Sequence, residues 1–124
     1  MAHAAKGARQ AGGMTVGILP GEDADQANPD IVLPIPTGLG EGRNLVVVEA
    51  SEALIAIGGG AGTLSEIGFA LKLHKPLVLL GSWSFTLPEG AHPLSLSVER
   101  ASTPEEAVRL AIERARQARL RYKG

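Results

Sequence analysis

The sequence predicts an α/β fold, an open and mostly parallel sheet in three layers. Three observations carry that expectation. Leu54–Ile57 and Leu77–Leu80 are short, continuously apolar runs, the pattern of strands covered on both faces rather than on one. Helical patterns alternate with these runs, as a parallel sheet with crossover helices requires. The first run ends in a glycine-rich turn, Gly58-Gly59-Gly60-Ala61-Gly62, that leads straight into an amphipathic segment.

Taken in order, His3 to Ala11 is alanine-rich with Lys6, Arg9 and Gln10 interspersed, and Gly12-Gly13 follows. That reads as the last turns of a helix with a glycine stop. Met14 to Leu19 is an apolar strand closed by Pro20-Gly21, and Glu22 to Asp30 is an acidic loop, its aspartates solvated. Ile31-Val32-Leu33-Pro34 is a brief extended piece; Pro34 and Pro36 confine it to an edge or deny it strand status. Val46-Val47-Val48 favours a strand by propensity. A strand at Leu54–Ile57, however, needs a crossover before it, so a helix is expected from about Gly42 to Ala50.

Thr63 is expected to open the next helix, which His74-Lys75-Pro76 breaks before the Leu77–Leu80 strand. Gly81 to Pro93 is a long loop holding Trp83, Phe85 and His92, and Ser95 to Val98 reads as a final short strand. Trp83 and Phe85 follow a strand's carboxyl end, where they serve either to cover a planar ligand or to fill the core. Thr103-Pro104-Glu105-Glu106 combines a cap, a proline at the first helical position and a capping-box glutamate. The helix it opens runs to about Tyr122, with Ala107, Val108, Ala111, Ile112 and Ala115 on its buried face. Its basic far end answers the helix dipole.

Composition excludes several function classes. With 124 residues, the chain is one domain with one core, 44% apolar and 20% charged. A net charge of −1 gives no electrostatic case for nucleic-acid binding, and 3% aromatics give little for base stacking along a strand. The absence of cysteine excludes disulfides and thiolate metal sites. His3, His74 and His92 are too scattered for a metal triad, so no metal site is expected. No stretch has the length of a membrane span or the apolar core of a signal peptide, so no membrane partner and a cytoplasmic location are expected.

Chemistry concentrates at the glycine turn. Gly58, Gly59, Gly60, Ala61, Gly62 and Thr63 offer a bare backbone at a helix N-terminus, which is the geometry of a phosphate site. The spacing is not the dinucleotide fingerprint: Thr63 stands at its third glycine, and Leu80-Gly81-Ser82 supplies no acid for a ribose. Nor is it a Walker loop, since no lysine precedes Thr63. A tight turn without a ligand is the plainer alternative, but four glycines in five residues exceed what a turn needs. Glu66 has two readings. Either it returns to the Thr63 backbone as the last member of a capping box, or it serves a ribose hydroxyl or a developing oxocarbenium ion. Arg43, after a glycine-rich loop, either reaches a strand's carboxyl end with its bidentate fork or is simply solvated. Asn44 is either a helix-start residue or a ligand contact.

Together, Arg43-Asn44 and the block Ile57-Gly58-Gly59-Gly60-Ala61-Gly62-Thr63-Leu64-Ser65-Glu66 resemble the LOG-like superfamily, once labelled lysine decarboxylases. More closely, the chain resembles the DprA/Smf-related branch of Rossmann-fold proteins that includes molybdenum cofactor carriers; Thr15 to Pro20 matches that branch as well. The resemblance implies a three-layer Rossmann-like domain over residues 1–124 and a homo-oligomer. It also implies a small phosphate-bearing partner, with a bound nucleotide or molybdenum cofactor as cargo. In the enzymes of the superfamily the block serves a nucleoside 5′-monophosphate phosphoribohydrolase. By that match, Glu66 would be the catalytic carboxylate, Arg43 its partner, and Gly59, Gly60, Gly62 and Thr63 the phosphate cradle.

Three departures set the transfer apart from the enzymes. Gly58 replaces the motif's proline, Ser65 replaces an acid beside Glu66, and Asn44 replaces a lysine. All three are features of the carrier-like branch. Relatives also begin with a strand, a helix and a second strand before the helix that opens this chain. The resemblance therefore implies a partial domain lacking the first strands of the family fold. The expectation from sequence is accordingly a carrier or binding protein, with the hydrolase as the alternative.

Overall fold

The computed structural model describes residues 2–85 and 98–123, and the helices and parallel strands of an α/β protein alternate along them. The chain divides into two units, Met1–Val46 and Val47–Gly124.

In the first unit, α1 (Ala2–Gln10) ends at Gly12, whose φ of +84° is open to glycine but not to side chains. The Gly13 N–H returns 2.8 Å to the Ala8 carbonyl, closing the helix as the glycine stop predicts. Strands β1 (Val16–Leu19) and β2 (Leu33–Pro36) pair in parallel, with Val16 opposite Leu33 and Leu19 opposite Pro36. Threonine hydroxyls clamp both ends of this ladder. Buried Thr15 donates to the Asp30 carbonyl at 2.5 Å and accepts from the Val32 N–H at 2.8 Å. Thr37 donates to the Leu19 carbonyl at 2.6 Å.

Of the two readings of the Pro34 and Pro36 segment, an edge strand or no strand, the edge strand is the one that forms, since β2 pairs on one side with β1 in a two-stranded sheet. The Leu33 and Thr37 N–H groups donate to Thr15 and Leu19. By the two-residue period, the nitrogens of Pro34 and Pro36 then point away from β1, where no ladder bond is lost. The strand forms, and its boundary moves two residues down the chain.

Helix α2 (Arg43–Ala50) follows a short 3₁₀ turn, Gly40–Gly42, so Val46-Val47-Val48 is helical despite its strand propensity. Its last turns belong to the second unit, where Val48 is fully buried.

That unit contains β3 (Leu54–Ile57), α3 (Ala61–Lys72), β4 (Leu77–Leu80), β5 (Val98–Ala101) and α4 (Pro104–Lys123). Its sheet is parallel in the order β3-β4-β5, with Leu54 opposite Leu77 and Leu77 opposite Val98. Strand β4 is therefore the centre, and alternation along it splits the core in two. Leu77 and Leu79 pack with Leu54, Ala56, Val48 and the α3 residues Ile67 and Ala70. Val78 points the other way, onto Ala107, Leu110 and Ala111 of α4. Helix, sheet and helix make the three layers.

Two boundaries differ from expectation. The last strand is described at Val98–Ala101, running past the expected end at Val98, while residues 95–97 of the expected Ser95–Val98 strand lie outside the described residues. The buried stripe of α4 is Ala107, Leu110 and Ala111, whereas Val108 and Ile112 are about half exposed, at 50% and 47%. Arg114, one turn further along that stripe, is tolerated because its guanidinium pairs with Glu99 of β5. The helix start is as predicted: the Glu106 N–H donates 3.1 Å to the Thr103 hydroxyl.

Candidate functional site

The carboxyl ends of β3 and β4 lie side by side, and the loops leaving them build the site. At the end of β3 the chain reverses through Gly58, whose φ is +78°. A Cβ here would be strained by that angle but would touch nothing within 4 Å. Gly60 is the N-cap of α3, extended at φ −70° and ψ 162°, with no side-chain cap; a Cβ on it would likewise meet nothing within 4 Å. Glycine at these positions is thus not explained by crowding from the described residues. The turn leaves open space above its backbone, beside the N–H groups that begin α3.

Helix α3 begins at Ala61, two residues before the expected start at Thr63. Thr63 is therefore the third helical residue and not the cap, and Glu66 is one turn too far in to complete a capping box with it. The first intrahelical bond runs from the Leu64 N–H to the Gly60 carbonyl at 3.1 Å. This removes the Thr63 capping box from the readings of Glu66. The half-buried Thr63 and Glu66 share a stripe with buried Ile67 and Ala70, at spacings of three, four and seven residues that hold one helix face. A carboxylate occupies a position where the core pattern calls for an apolar side chain.

The loop after β4 meets the turn. The Ser82 hydroxyl donates to the Gly58 carbonyl at 2.5 Å, tying the two strand ends together. Trp83 follows, and a Cβ built on Gly59 would stand 3.8 Å from its indole Nε1. Sequence reasoning missed Ser82 as a site residue, although its position just past a neighbouring strand's carboxyl end was a signal.

The other candidates belong to the first unit. Arg43, half-buried at the start of α2, donates from Nη1 to the Ile18 carbonyl at 3.1 Å. It is not simply solvated, and within its own unit it reaches the carboxyl end of β1. Asn44, the next residue, is buried. Gly58, Gly59, Gly60, Ala61, Gly62, Thr63 and Glu66 are thus gathered on one turn and one helix. Among the described residues, no three His, Asp or Glu side chains come together as a metal group, and no helix is long and apolar enough to cross a membrane.

The sequence profile of the SLOG cluster4 family matches residues 1–108. The chain belongs to that family. Among solved structures, this SLOG cluster4 chain is similar to the molybdenum cofactor binding protein of the phototrophic bacterium Rippkaea orientalis. The identity is 38% and the TM-score 0.74, over 89% of this chain and 68% of that one. It is also similar to the molybdenum cofactor carrier protein of Chlamydomonas reinhardtii, at 35% identity and a TM-score of 0.72, over 90% and 68% of the two chains. An uncharacterized protein of Archaeoglobus fulgidus is 43% identical over a 98-residue alignment that covers 73% of this chain and 64% of that relative's length. These similarities agree with the LOG-like resemblance and with the Rossmann-like α/β fold.

Proposed function

We propose that this SLOG cluster4 chain is a binding or carrier protein for a phosphate-bearing ligand, a nucleotide or a pterin-type cofactor, held at the Gly58–Thr63 turn. The observation that carries the proposal is the space that the described residues leave open above Gly58 and Gly60, next to an α3 N-terminus whose N-cap residue is the side-chain-free Gly60. Backbone N–H groups at such an end, with the positive end of the helix dipole behind them, favour an anion. Similarity to two molybdenum cofactor binding and carrier proteins supports cargo of that kind. Gly59, Gly60, Ala61, Gly62 and Thr63 would hold the phosphate, while Gly58 gives the turn its shape. The proposal is confined to the second unit. The test is native mass spectrometry of the protein purified gently from cells. A phosphate-bearing small molecule released on denaturation is expected, and repeated recovery of ligand-free protein that also fails to take up added nucleotide or pterin phosphate would refute the proposal.

One observation favours a second reading, that of a nucleoside 5′-monophosphate phosphoribohydrolase. With α3 starting at Ala61, Glu66 is out of register for a capping box with Thr63, and a half-buried carboxylate near the glycine turn suits an oxocarbenium-like transition state. Incubation with AMP separates the two readings. A hydrolase releases free adenine and loses that activity in Glu66→Ala; a carrier returns AMP intact even at high protein concentration.

A further inference from the structure

Trp83 is the sole tryptophan of the chain, and its placement is not that of a core residue. It remains 37% exposed, and Phe85, two residues on, is 39% exposed. Leaving so large an apolar surface in water is unfavourable, yet the backbone that carries it is fixed from both sides. Ser82 donates to the Gly58 carbonyl at 2.5 Å, and Arg100 of β5 donates from Nη2 to the Trp83 carbonyl at 2.9 Å. These bonds set the indole edge against Gly59, with Nε1 and Cε2 3.8 Å and 4.0 Å from where a Cβ would stand. On either side of Gly59, a Cβ built on Gly58 or Gly60 would meet no atom within 4 Å among the described residues beyond its own chain neighbours. An exposed ring, a tethered backbone and open space beside it are the parts of a stacking platform.

Resting on the phosphate reading of the glycine turn, we propose that Trp83 is the specificity-determining wall of the site. It stacks on the planar heterocycle of a ligand whose phosphate lies at the start of α3. The ligand class is thereby narrowed to phosphates bearing a planar nitrogen heterocycle, as nucleotides and pterin phosphates do. Sugar phosphates without a base occupy the cradle only. Stacking on an aromatic side chain tolerates any flat ring, so the platform selects for a heterocycle without choosing between purine and pterin.

The single tryptophan makes the test direct. The full chain is titrated with GMP, with 6-hydroxymethylpterin phosphate and with ribose 5-phosphate, following both indole fluorescence and heat. At least one heterocyclic phosphate is expected to quench the fluorescence saturably, whereas ribose 5-phosphate binds without quenching. Trp83→Ala is expected to weaken the heterocyclic ligand by about tenfold or more, to leave ribose 5-phosphate within about twofold, and Trp83→Phe to restore most of the loss. Equal weakening of all ligands, or unchanged heterocycle affinity in both variants, overturns the role of Trp83 while leaving the phosphate site standing. Failure of all three probes to bind overturns the phosphate site and this inference with it. Circular dichroism of both variants verifies the fold, and Trp83→Phe keeps the proposal testable where Trp83→Ala does not fold.

Discussion

Gly60→Val separates folding from binding at the glycine turn. Gly60 has an extended backbone, φ −70° and ψ 162°, that a β-branched residue adopts without strain, and its added Cβ would meet no atom within 4 Å. Valine is a poorer N-cap than glycine by about 1 kcal/mol. Reduced freedom of the unfolded chain offsets about half of that. The net change in stability is expected to stay within about 1 kcal/mol. Binding is another matter, because the branched side chain stands in the space given to the phosphate. A hydrogen bond to a charged group contributes about 1.5–3 kcal/mol, so losing one weakens binding by about 10- to 150-fold. Urea denaturation measures the first quantity and calorimetry with GMP the second. A folded variant with unchanged affinity would refute the turn as the site. A variant destabilised by more than about 3 kcal/mol, beyond any capping effect, would refute the open-space geometry.

Other expectations follow from the same structure. Gly58→Ala places a side chain at φ +78° and is expected to cost about 1–2 kcal/mol in urea denaturation, although nothing crowds the new methyl. Leu79→Ala, at a position 1% exposed in the centre of the sheet, should lower stability by about 2–5 kcal/mol and shift the midpoint without changing the slope. Thr103→Ala removes the hydroxyl that accepts the Glu106 N–H; about 1 kcal/mol of stability should be lost, and Thr103→Ser should recover most of it.

Where the apolar pattern was strong, the sequence was enough. Leu54–Ile57 and Leu77–Leu80 are strands at the expected residues, and the Thr103 cap starts its helix where composition says it should. What the sequence withheld depends on neighbours. Pro34 and Pro36 look like strand breakers until their nitrogens are known to point away from β1. Leu110 could not be ranked above Val108 and Ile112 without knowing the angle at which α4 meets Val78. Thr63 resembles a cap because threonine favours that position, yet the helix begins at Ala61 with Gly60 as its N-cap, which shifts Glu66 out of the capping register. The glycine-rich turn between β3 and α3 was legible as a candidate because its residue types are unusual. The Ser82 bond and the Trp83 placement were not, since both depend on β4 lying beside β3.

The most direct measurement of the central claim is a GMP titration followed by the backbone amide resonances of the isotopically labelled protein. A phosphate held at the start of α3 is predicted to move the amide signals of Gly59, Gly60, Ala61, Gly62 and Thr63 together and saturably, with the Trp83 indole N–H following the heterocycle. The resonances of α4 on the sheet's other face should stay in place. Saturable binding that leaves the five turn amides unmoved, or no binding at millimolar GMP and pterin phosphate, would contradict the account.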